Sequence, residues 1–415
     1  IGYTITDTQA PLAELIRQVA DRQMLFVLDN CEHLVAALEG VLDALLNQTS
    51  VQMLATSRLR LMVDGESLFP LEGLTPGEAF ALFVERARRV VPTFAAEDDV
   101  VIGKEVARIC EQVAGLPLGI ELAASWVEHY SVAEIGQQLA AITIEPKQAD
   151  GLLSRHHTLN GVFEYSWRLL NPREQHILAR FSVFRGGFDR AAAATVAECG
   201  LSELSVMIAH SLVQRVSAGR YDLHPLIQEF ANGKLPDAEQ AALAQKHSHH
   251  YLGELIRIER TQRATRLRVD FENVRNAWQQ AVNAGDAEMA QQAASQFCEF
   301  IGQFGLMSDG YALYQEAVGR FDSESAHNEL VAQLLNEQWV FARTLYGLRA
   351  ASDLLRRLLS VTSNQELLAE THLNLATGYA EEGDWERTDY HFDQVETLTQ
   401  NAPDPSLYII AVEGR

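Results

Sequence analysis

Apolar and polar positions follow two different patterns over the first 70 residues. Residues 11–20 and 34–46 place apolar side chains three and four positions apart, which is the spacing of amphipathic helices. Residues 24–28 (MLFVL) and 51–55 (VQMLA) are short and largely apolar, as is typical of strands buried in a parallel sheet. The pattern predicts a partial α/β domain over residues 1–70, with polar residues delivered at the strand ends.

Residues 71–150 have the pattern of a block of helices. The run TPGE at residues 75–78 is a capping box with Pro at the first helical position, and it predicts a helix that continues to Val90. Apolar spacing predicts a second helix over residues 100–114, and a third that begins at Pro117. We therefore predict a helical subdomain.

Residues 151–235 combine helices with a short hairpin. Helical patterns cover residues 158–170, 171–184 and 201–212. The runs LVQRV (212–216) and RYDLH (220–224) surround a Gly turn and predict two strands. Helices followed by a hairpin predict a winged-helix domain. The helix before the hairpin has no Lys or Arg, so we expect a packing role rather than base reading in DNA.

From residue 236 onward the pattern is helical and amphipathic. Small and aromatic residues in 373–392 are spaced as in a tetratricopeptide repeat (TPR), and Trp339 and Ala342 stand 34 residues before Leu373 and Ala376. Such helix pairs bury their apolar faces by stacking, so we predict a TPR-like α-solenoid over the tail. An irregular helical domain is the alternative. The whole chain is predicted to be multidomain and mostly α.

Composition narrows the class of protein. The 415 residues carry a formal net charge of -23 and 47% hydrophobic residues, which indicates a soluble globular chain and disfavours broad binding to a nucleic-acid backbone. The four cysteines lack CxxC spacing, which predicts reduced thiols in a cytoplasmic protein. No apolar run reaches the ~20 residues of a membrane span. Because the chain begins without Met, we expect a fragment of something longer.

Several motifs recur together and in order along the first 235 residues. They are FVLDNCEHL, LATSR, GLPLGIELAA, RHHTLNGVFEYSWRLLNPRE, FSVFRGGFD and LHPLIQEFA. In this order they resemble the signal-transduction ATPases with numerous domains (STAND). The similarity is specifically to the NB-ARC-like modules of large bacterial transcriptional regulators of the LuxR/AfsR type. Beyond residue 235 the resemblance extends only to the helical-repeat tail that such proteins carry.

The resemblance assigns roles around the first two strands. Asp29 matches the Walker B acid, which would hold Mg²⁺ on the β- and γ-phosphates of ATP; a helix-capping Asp is the alternative. Asn30 stands where many relatives have a second acid, and because an amide cannot act as a base, hydrolysis would be slow or would use Glu32. Arg58 matches the sensor that meets the γ-phosphate. Its alternative is a surface salt bridge.

Two further motifs are assigned by the same resemblance. Gly115, Leu116 and Pro117 match the GLPL loop that lies against adenine, although a helix end followed by a helix start would also explain them. His224 matches the histidine that contacts the β-phosphate of ADP in the closed state. Pro225 replaces the usual Asp of that motif, and we expect this departure to alter the latch. A His packed between subdomains is the alternative.

The phosphate-binding loop GxxxxGK[ST] does not occur in the sequence. The two Gly-Lys pairs, at 103–104 and 233–234, lack both the Gly-rich lead and the following Ser or Thr. Relatives place this loop before the Walker B strand, so we expect it before Ile1. We therefore expect ATP or ADP and Mg²⁺ to bind in the longer protein, and this chain alone neither to bind ATP tightly nor to hydrolyse it.

Two functions fit these features. The first is the regulatory fragment of an ATP/ADP-controlled switch, with a protein or small-molecule inducer on the tail and self-oligomerisation in the longer protein. The second is a nucleotide-independent adaptor built on the repeats. We expect no contact with DNA or membrane. The basic run 260–268 is expected to form an exposed face salt-bridged to Asp270 and Glu272, and KHSHH (246–250) a solvated helix face rather than a metal site.

Overall fold

The computed structural model describes residues 11–29, 31, 34–57, 59–69, 71–142, 151–322, 325–400 and 406, without the side chains of 36, 141–142, 151–158 and 325. The chain is mostly helical and multidomain, as predicted. It divides into two compact units, Ile1–Phe69 with Gly285–Arg415, and Pro70–Ala284. The domain boundaries that the sequence suggests at 70, 150 and 235 remain predictions.

The start of the described chain is the predicted α/β segment. Its elements are α1 (Pro11–Val19), β1 (Leu25–Leu28), α2 (Val35–Gln48) and β2 (Gln52–Ala55). The two strands are parallel, with Leu25 opposite Gln52 and Leu28 opposite Ala55. A parallel pair needs a crossover connection, and α2 supplies it.

The prediction that these strands are fully buried is wrong for one of their faces. Phe26 and Met53 pack with residues of α1 and α2 around Val19 and Leu45. Val27, which points the opposite way from Phe26, is 63% exposed. Successive side chains of a strand point to opposite faces. Within the described residues, helices therefore cover one face of this pair.

Four helices open the unit Pro70–Ala284. They are α3 (Pro76–Val90), α4 (Val100–Gln112), α5 (Pro117–Ser125) and α6 (Val132–Ile142). The predicted capping box is present, because the Glu78 carboxylate accepts from the backbone N–H of Thr75 at 3.0 Å. Asp99 caps α4 by accepting from Val101 and Ile102. Local capping thus fixes where these helices begin.

The next segment contains the predicted helices and hairpin, with one strand more than predicted. Its elements are α7 (Gly151–Leu169), α8 (Pro172–Phe181), β3 (Phe188–Asp189), α9 (Arg190–Val196), α10 (Leu201–Ala209), β4 (Gln214–Ser217), β5 (Arg220–Asp222) and α11 (Pro225–Asn232). The strands form an antiparallel sheet in the order β3-β5-β4. β3 pairs Phe188 with Tyr221. Two residues cannot display the alternation that identifies a strand in a sequence.

Three helices complete this unit: α12 (Asp237–Arg257), α13 (Arg260–Leu267) and α14 (Phe271–Ala284). The expected exposed face on the basic run 260–268 is confirmed for Arg260, Arg266 and Arg268 and is wrong for Arg263. Arg263 is buried, and its guanidinium donates to the carbonyls of Leu255 and Ile258 at the end of α12. Asp270 pairs with Arg220 at 2.9 Å. Arg263 and Asp270 therefore stabilise the packing of this unit.

The remaining helices are α15 (Ala287–Gln303), α16 (Met307–Phe321), α17 (Asn328–Val361), α18 (Gln365–Glu382) and α19 (Trp385–Thr399). α17 is broken at Gly347, where φ is 82° and ψ is 167°. Glu329, at its start, accepts hydrogen bonds from Thr362 and Ser363 just beyond its end. A straight helix of 34 residues would separate its ends by about 50 Å, so the halves of α17 fold back on each other.

The predicted echo of 34 residues corresponds to equivalent packing positions. Trp339 and Ala342 are buried in the first half of α17, and Ala376 is buried one period later in α18. α18 and α19 also form a helix pair, joined at Gly383 with φ of 75°. The tail therefore contains consecutive folded-back helix pairs of similar length. Among described helices, no single one is long and apolar enough to span a membrane, although α9 and α10, bent by 110°, meet that criterion as a pair.

Candidate functional site

The ends of β1 and β2 lie side by side, and they hold Asp29. The backbone N–H of Thr56 donates to Leu28 at 2.9 Å, and that of Cys31 donates to Thr56 at 3.0 Å. The hydroxyl of Thr56 donates to Oδ1 of Asp29. Among the described residues, no hydrogen bond or ion pair engages Oδ2 of this exposed carboxylate. Thr56 was missed in the sequence, although parallel strands necessarily bring their carboxyl ends to the same edge.

The helix-capping alternative for Asp29 does not apply to α2. The N-cap residue of α2 is Leu34, and α2 has no side-chain cap hydrogen bond. The described partner of Asp29 is instead Thr56, on the neighbouring strand. The other predicted residues of this edge, Asn30, Glu32 and Arg58, lie outside the described residues.

Gly115, Leu116 and Pro117 form the junction between α4 and α5. Gly115 has a φ of +66°, and a Cβ there would lie 2.7 Å from the carbonyl oxygen of Leu74. Glycine is therefore required by the neighbouring backbone, which also donates from Leu74 N–H to the Gly115 carbonyl at 2.9 Å. Leu116 is the N-cap residue of α5, and Pro117 occupies its first position. The helix end and helix start are real, and Pro117 remains exposed.

His224 is the N-cap residue of α11. Its Nδ1 accepts a hydrogen bond from the backbone N–H of Leu226 at 3.2 Å. An accepting Nδ1 places the ring proton on Nε2 when the imidazole is neutral. Pro225 occupies the first helical position, where an N–H would have no intrahelical partner. The departure from the family motif is therefore compatible with a regular helix start.

The charge on His224 is set by its surroundings. Burial lowers the pKa of His224 below its ordinary range, and the carboxylate of Glu121 opposes that shift. Glu121 lies on α5, the helix that begins at Pro117, and pairs with Arg86 of α3 at 3.0 Å. α5 thus carries the predicted adenine loop at its start and, farther along, a carboxylate near His224. The sequence motifs alone give no sign of this proximity.

The solvated face predicted for the histidine-rich run 246–250 is confirmed for Lys246 and His249, which are exposed, and is wrong for His247. His247 is fully buried, and its ring contacts the side chains of Gln280 at 2.9 Å and Asn273 at 3.3 Å. Burial lowers its pKa to about 4, so the ring is neutral at pH 7. Across the described chain, no group of three His, Cys, Asp or Glu side chains could hold a metal ion.

The sequence is similar to sequences of proteins named as regulators. The chain is 31% identical over 264 residues to an HTH-type transcriptional regulator of Mycobacterium bovis, covering 60% of this chain and 30% of that protein. It is 30% identical over 247 residues to the regulatory protein AfsR of Streptomyces griseus, covering 57% of this chain and 24% of that protein. The chain therefore spans less than a third of either relative. No family model matches it.

A solved structure covers nearly the whole chain. It is a STAND protein with a tetratricopeptide repeat sensor from Pyrococcus horikoshii, and it matches 98% of this chain and 54% of its own with a TM-score of 0.57 and 15% identity. The predicted resemblance to STAND proteins is confirmed. At this identity the STAND structure shows the fold, and the relatives show that similar sequences occur in proteins named as an HTH-type transcriptional regulator and as a regulatory protein.

Proposed function

We propose that this chain is the regulatory part of a nucleotide-controlled STAND switch in a transcriptional regulator. The STAND fold and the regulator relatives support a regulatory role. The observation that carries the switch is the Asp29 carboxylate, held by the Thr56 hydroxyl at the aligned ends of two parallel strands. A carboxylate oriented at such an edge is suited to Mg²⁺ and phosphate.

Each of the two units, taken by itself, contains described residues whose chemistry suits one part of a nucleotide with Mg²⁺. Mg²⁺ would be held by Asp29 through the oxygen that Thr56 does not engage, and when bound it would neutralise phosphate charge. His224 is neutral, with its Nε2 proton free of the cap, so it can donate to an anion near the start of α11. Leu116 and Pro117 offer an apolar edge for adenine.

The tail is proposed to be the sensor of the switch. Its helix pairs, α17 and then α18 with α19, follow one another and expose side chains on their outer surfaces. Stacked helix pairs create extended binding surfaces for proteins or small molecules. We also propose that this chain does not read DNA, because α10, the helix before the hairpin, contains no Lys or Arg. DNA binding would then reside elsewhere in the regulator.

The test is nucleotide binding by the full-length gene product, measured by calorimetry with ADP and with ATP plus Mg²⁺. Asp29→Asn should abolish the Mg²⁺ dependence of ATP binding, because the amide keeps the size and loses the charge. His224→Asn should weaken ADP binding while still capping α11. The exposed Asp64→Asn is the matched control.

The 415-residue chain provides a second control, because it contains no GxxxxGK[ST] run and should bind neither nucleotide tightly. Micromolar binding of MgATP to this chain would contradict the assignment of phosphate recognition to that loop. Absence of nucleotide binding by the full-length product would instead identify the chain as a nucleotide-independent adaptor.

A further inference from the structure

An open groove of about 360 Å³ runs between α7 and α11. Apolar side chains form its floor, and polar or charged groups with one glycine line its sides. The floor consists of Leu159, Phe163, Leu226 and Phe230, and the sides consist of Asn160, Glu164, Glu229, Gly233 and Lys234. All nine lie in the unit Pro70–Ala284. We call this feature the α7–α11 groove.

The groove already accommodates one positive charge of its own. The ammonium of Lys234 pairs with Glu164, and it lies 5.0 Å from the ring centre of Phe230 and 5.8 Å from that of Trp167. Aromatic faces and carboxylates are the groups that attract a cation out of water. The construction of the groove is therefore compatible with an ammonium group.

A second carboxylate of the groove, that of Glu229, has no charged partner among the described residues. Glu229 forms no side-chain hydrogen bond or ion pair with another described residue, and it lies on the same helix as the floor residues Leu226 and Phe230. It also stands in the last turn of α11, where the helix dipole places partial negative charge. Among the described lining residues, Glu164 and Lys234 balance each other, so Glu229 is the one carboxylate beside the apolar floor without a charged partner.

We propose that the α7–α11 groove binds a small organic cation with an apolar body. Its ammonium group lies at Glu229, and its hydrocarbon or aromatic body packs on Leu159, Phe163 and Phe230. The proposal is independent of nucleotide binding, because the groove residues include none of those assigned to nucleotide or magnesium.

The dimensions favour a small molecule over a protein helix. At 1.5 Å per residue, the lining stretch of α7 (159–164) is about 8 Å long, and the stretch formed by α11 with the turn after it (226–234) is about 12 Å long at most. A docking helix of the ~12 residues needed for marginal stability would be about 18 Å long and would overhang both. A volume of about 360 Å³ falls instead in the range of small-molecule sites.

The test uses three probes that share one body and differ in charge: 4-phenylbutylammonium, 4-phenylbutanol and 4-phenylbutyrate. Binding to the 415-residue chain is measured by calorimetry and by saturation-transfer NMR. We expect saturable binding of the ammonium probe with a Kd on the order of 1 mM or below, as befits eleven non-hydrogen atoms. The alcohol should bind at least threefold more weakly, and the carboxylate should not bind measurably.

Two variants locate the site. Asn160→Trp fills the groove from an exposed position and should abolish binding of the ammonium probe, with the circular dichroism unchanged. Glu229→Gln should make the ammonium and the alcohol bind equally. The exposed Glu111→Gln, on α4 of the same unit, is the matched control and should leave both affinities unchanged.

The proposal is overturned by any of three results. These are the absence of saturable binding of the ammonium probe, binding that survives Asn160→Trp, and a preference for the ammonium that survives Glu229→Gln. The first result would show that the chain does not bind this class of ligand. The second would show that the ligand binds outside the groove, and the third that Glu229 does not determine the preference for the cation.

Discussion

Truncating Asn273 should loosen the contact between α14 and the turn that precedes β3. Asn273 is fully buried in α14. Its Oδ1 accepts from the backbone N–H of Arg185 at 2.7 Å and lies 3.3 Å from Nε2 of His247, while its Nδ2 donates to the carbonyl of Gly187 at 2.7 Å. One amide thus satisfies groups from two other segments of the unit.

The expected magnitude follows from the groups that Asn273→Ala leaves without a partner. Arg185 is exposed, so water can replace its lost acceptor. The Gly187 carbonyl and the His247 ring are buried, and each unsatisfied buried group costs about 1–3 kcal/mol. We therefore expect a loss of about 2–6 kcal/mol in the free energy of opening of this contact. The lower bound corresponds to a roughly 30-fold rise in hydrogen exchange.

Hydrogen exchange with mass spectrometry measures this directly in peptides that cover residues 182–188. The control is Asn276→Ala, the same residue type one turn along α14, which makes a single bond of 3.4 Å to Val183 from a half-buried position. It should cost about 0.5 kcal/mol, or roughly a twofold rise in exchange. Equal effects of the two substitutions, or a rise below threefold for Asn273→Ala, would refute the reasoning.

Three further predictions concern single positions. Gly347→Ala should destabilise the tail by about 1–3 kcal/mol in thermal unfolding, because the φ of Gly347 is 82°. The control is Gly378→Ala, inside α18, which should be neutral or stabilising because the nearest atom lies 3.9 Å from the added Cβ. Burial, then His372 and Arg387, lowers the pKa of His391 to about 4. The stability that the neutral His391 ring contributes is therefore present above the unfolded pKa near 6.5 and is lost as the pH falls toward 4. His391→Gln should reduce this loss of stability in melting curves recorded across that pH range. His224→Ala should cost about 1 kcal/mol in urea unfolding through the lost cap, whereas His224→Asn should not.

Elements with their own local cues were predictable from the sequence. The capping box at Thr75 and the Asn171 cap of α8 each place a helix start, because a side chain within three residues supplies the missing hydrogen-bond partner. The αL glycine at Gly383 marks the end of α18 in the same local way. Such cues do not depend on the rest of the fold.

Features that depend on distant partners were not predictable. Asn273 looks like an ordinary helical residue, and its partner Arg185 stands 88 positions away. The burial of His247 in a polar run depends on the same assembly. The hydrophobic pattern of residues 24–28 cannot tell how many faces of β1 are covered, because that depends on which helices pack there. Each of these errors arose where the outcome is decided by tertiary contacts.

The candidate sites divide along the same line. The motif around Asp29 identifies a strand end from local sequence, and the rule that parallel strands share an edge would have been enough to select Thr56. The resemblance likewise selects His224, but its tautomer follows only from the hydrogen bond with Leu226. The α7–α11 groove has no motif, because its walls come from two helices whose closest lining positions, Glu164 and Leu226, are far apart in the chain. A sequence motif therefore identifies residues whose role depends on one loop. A site formed between two helices can be identified only from the folded structure.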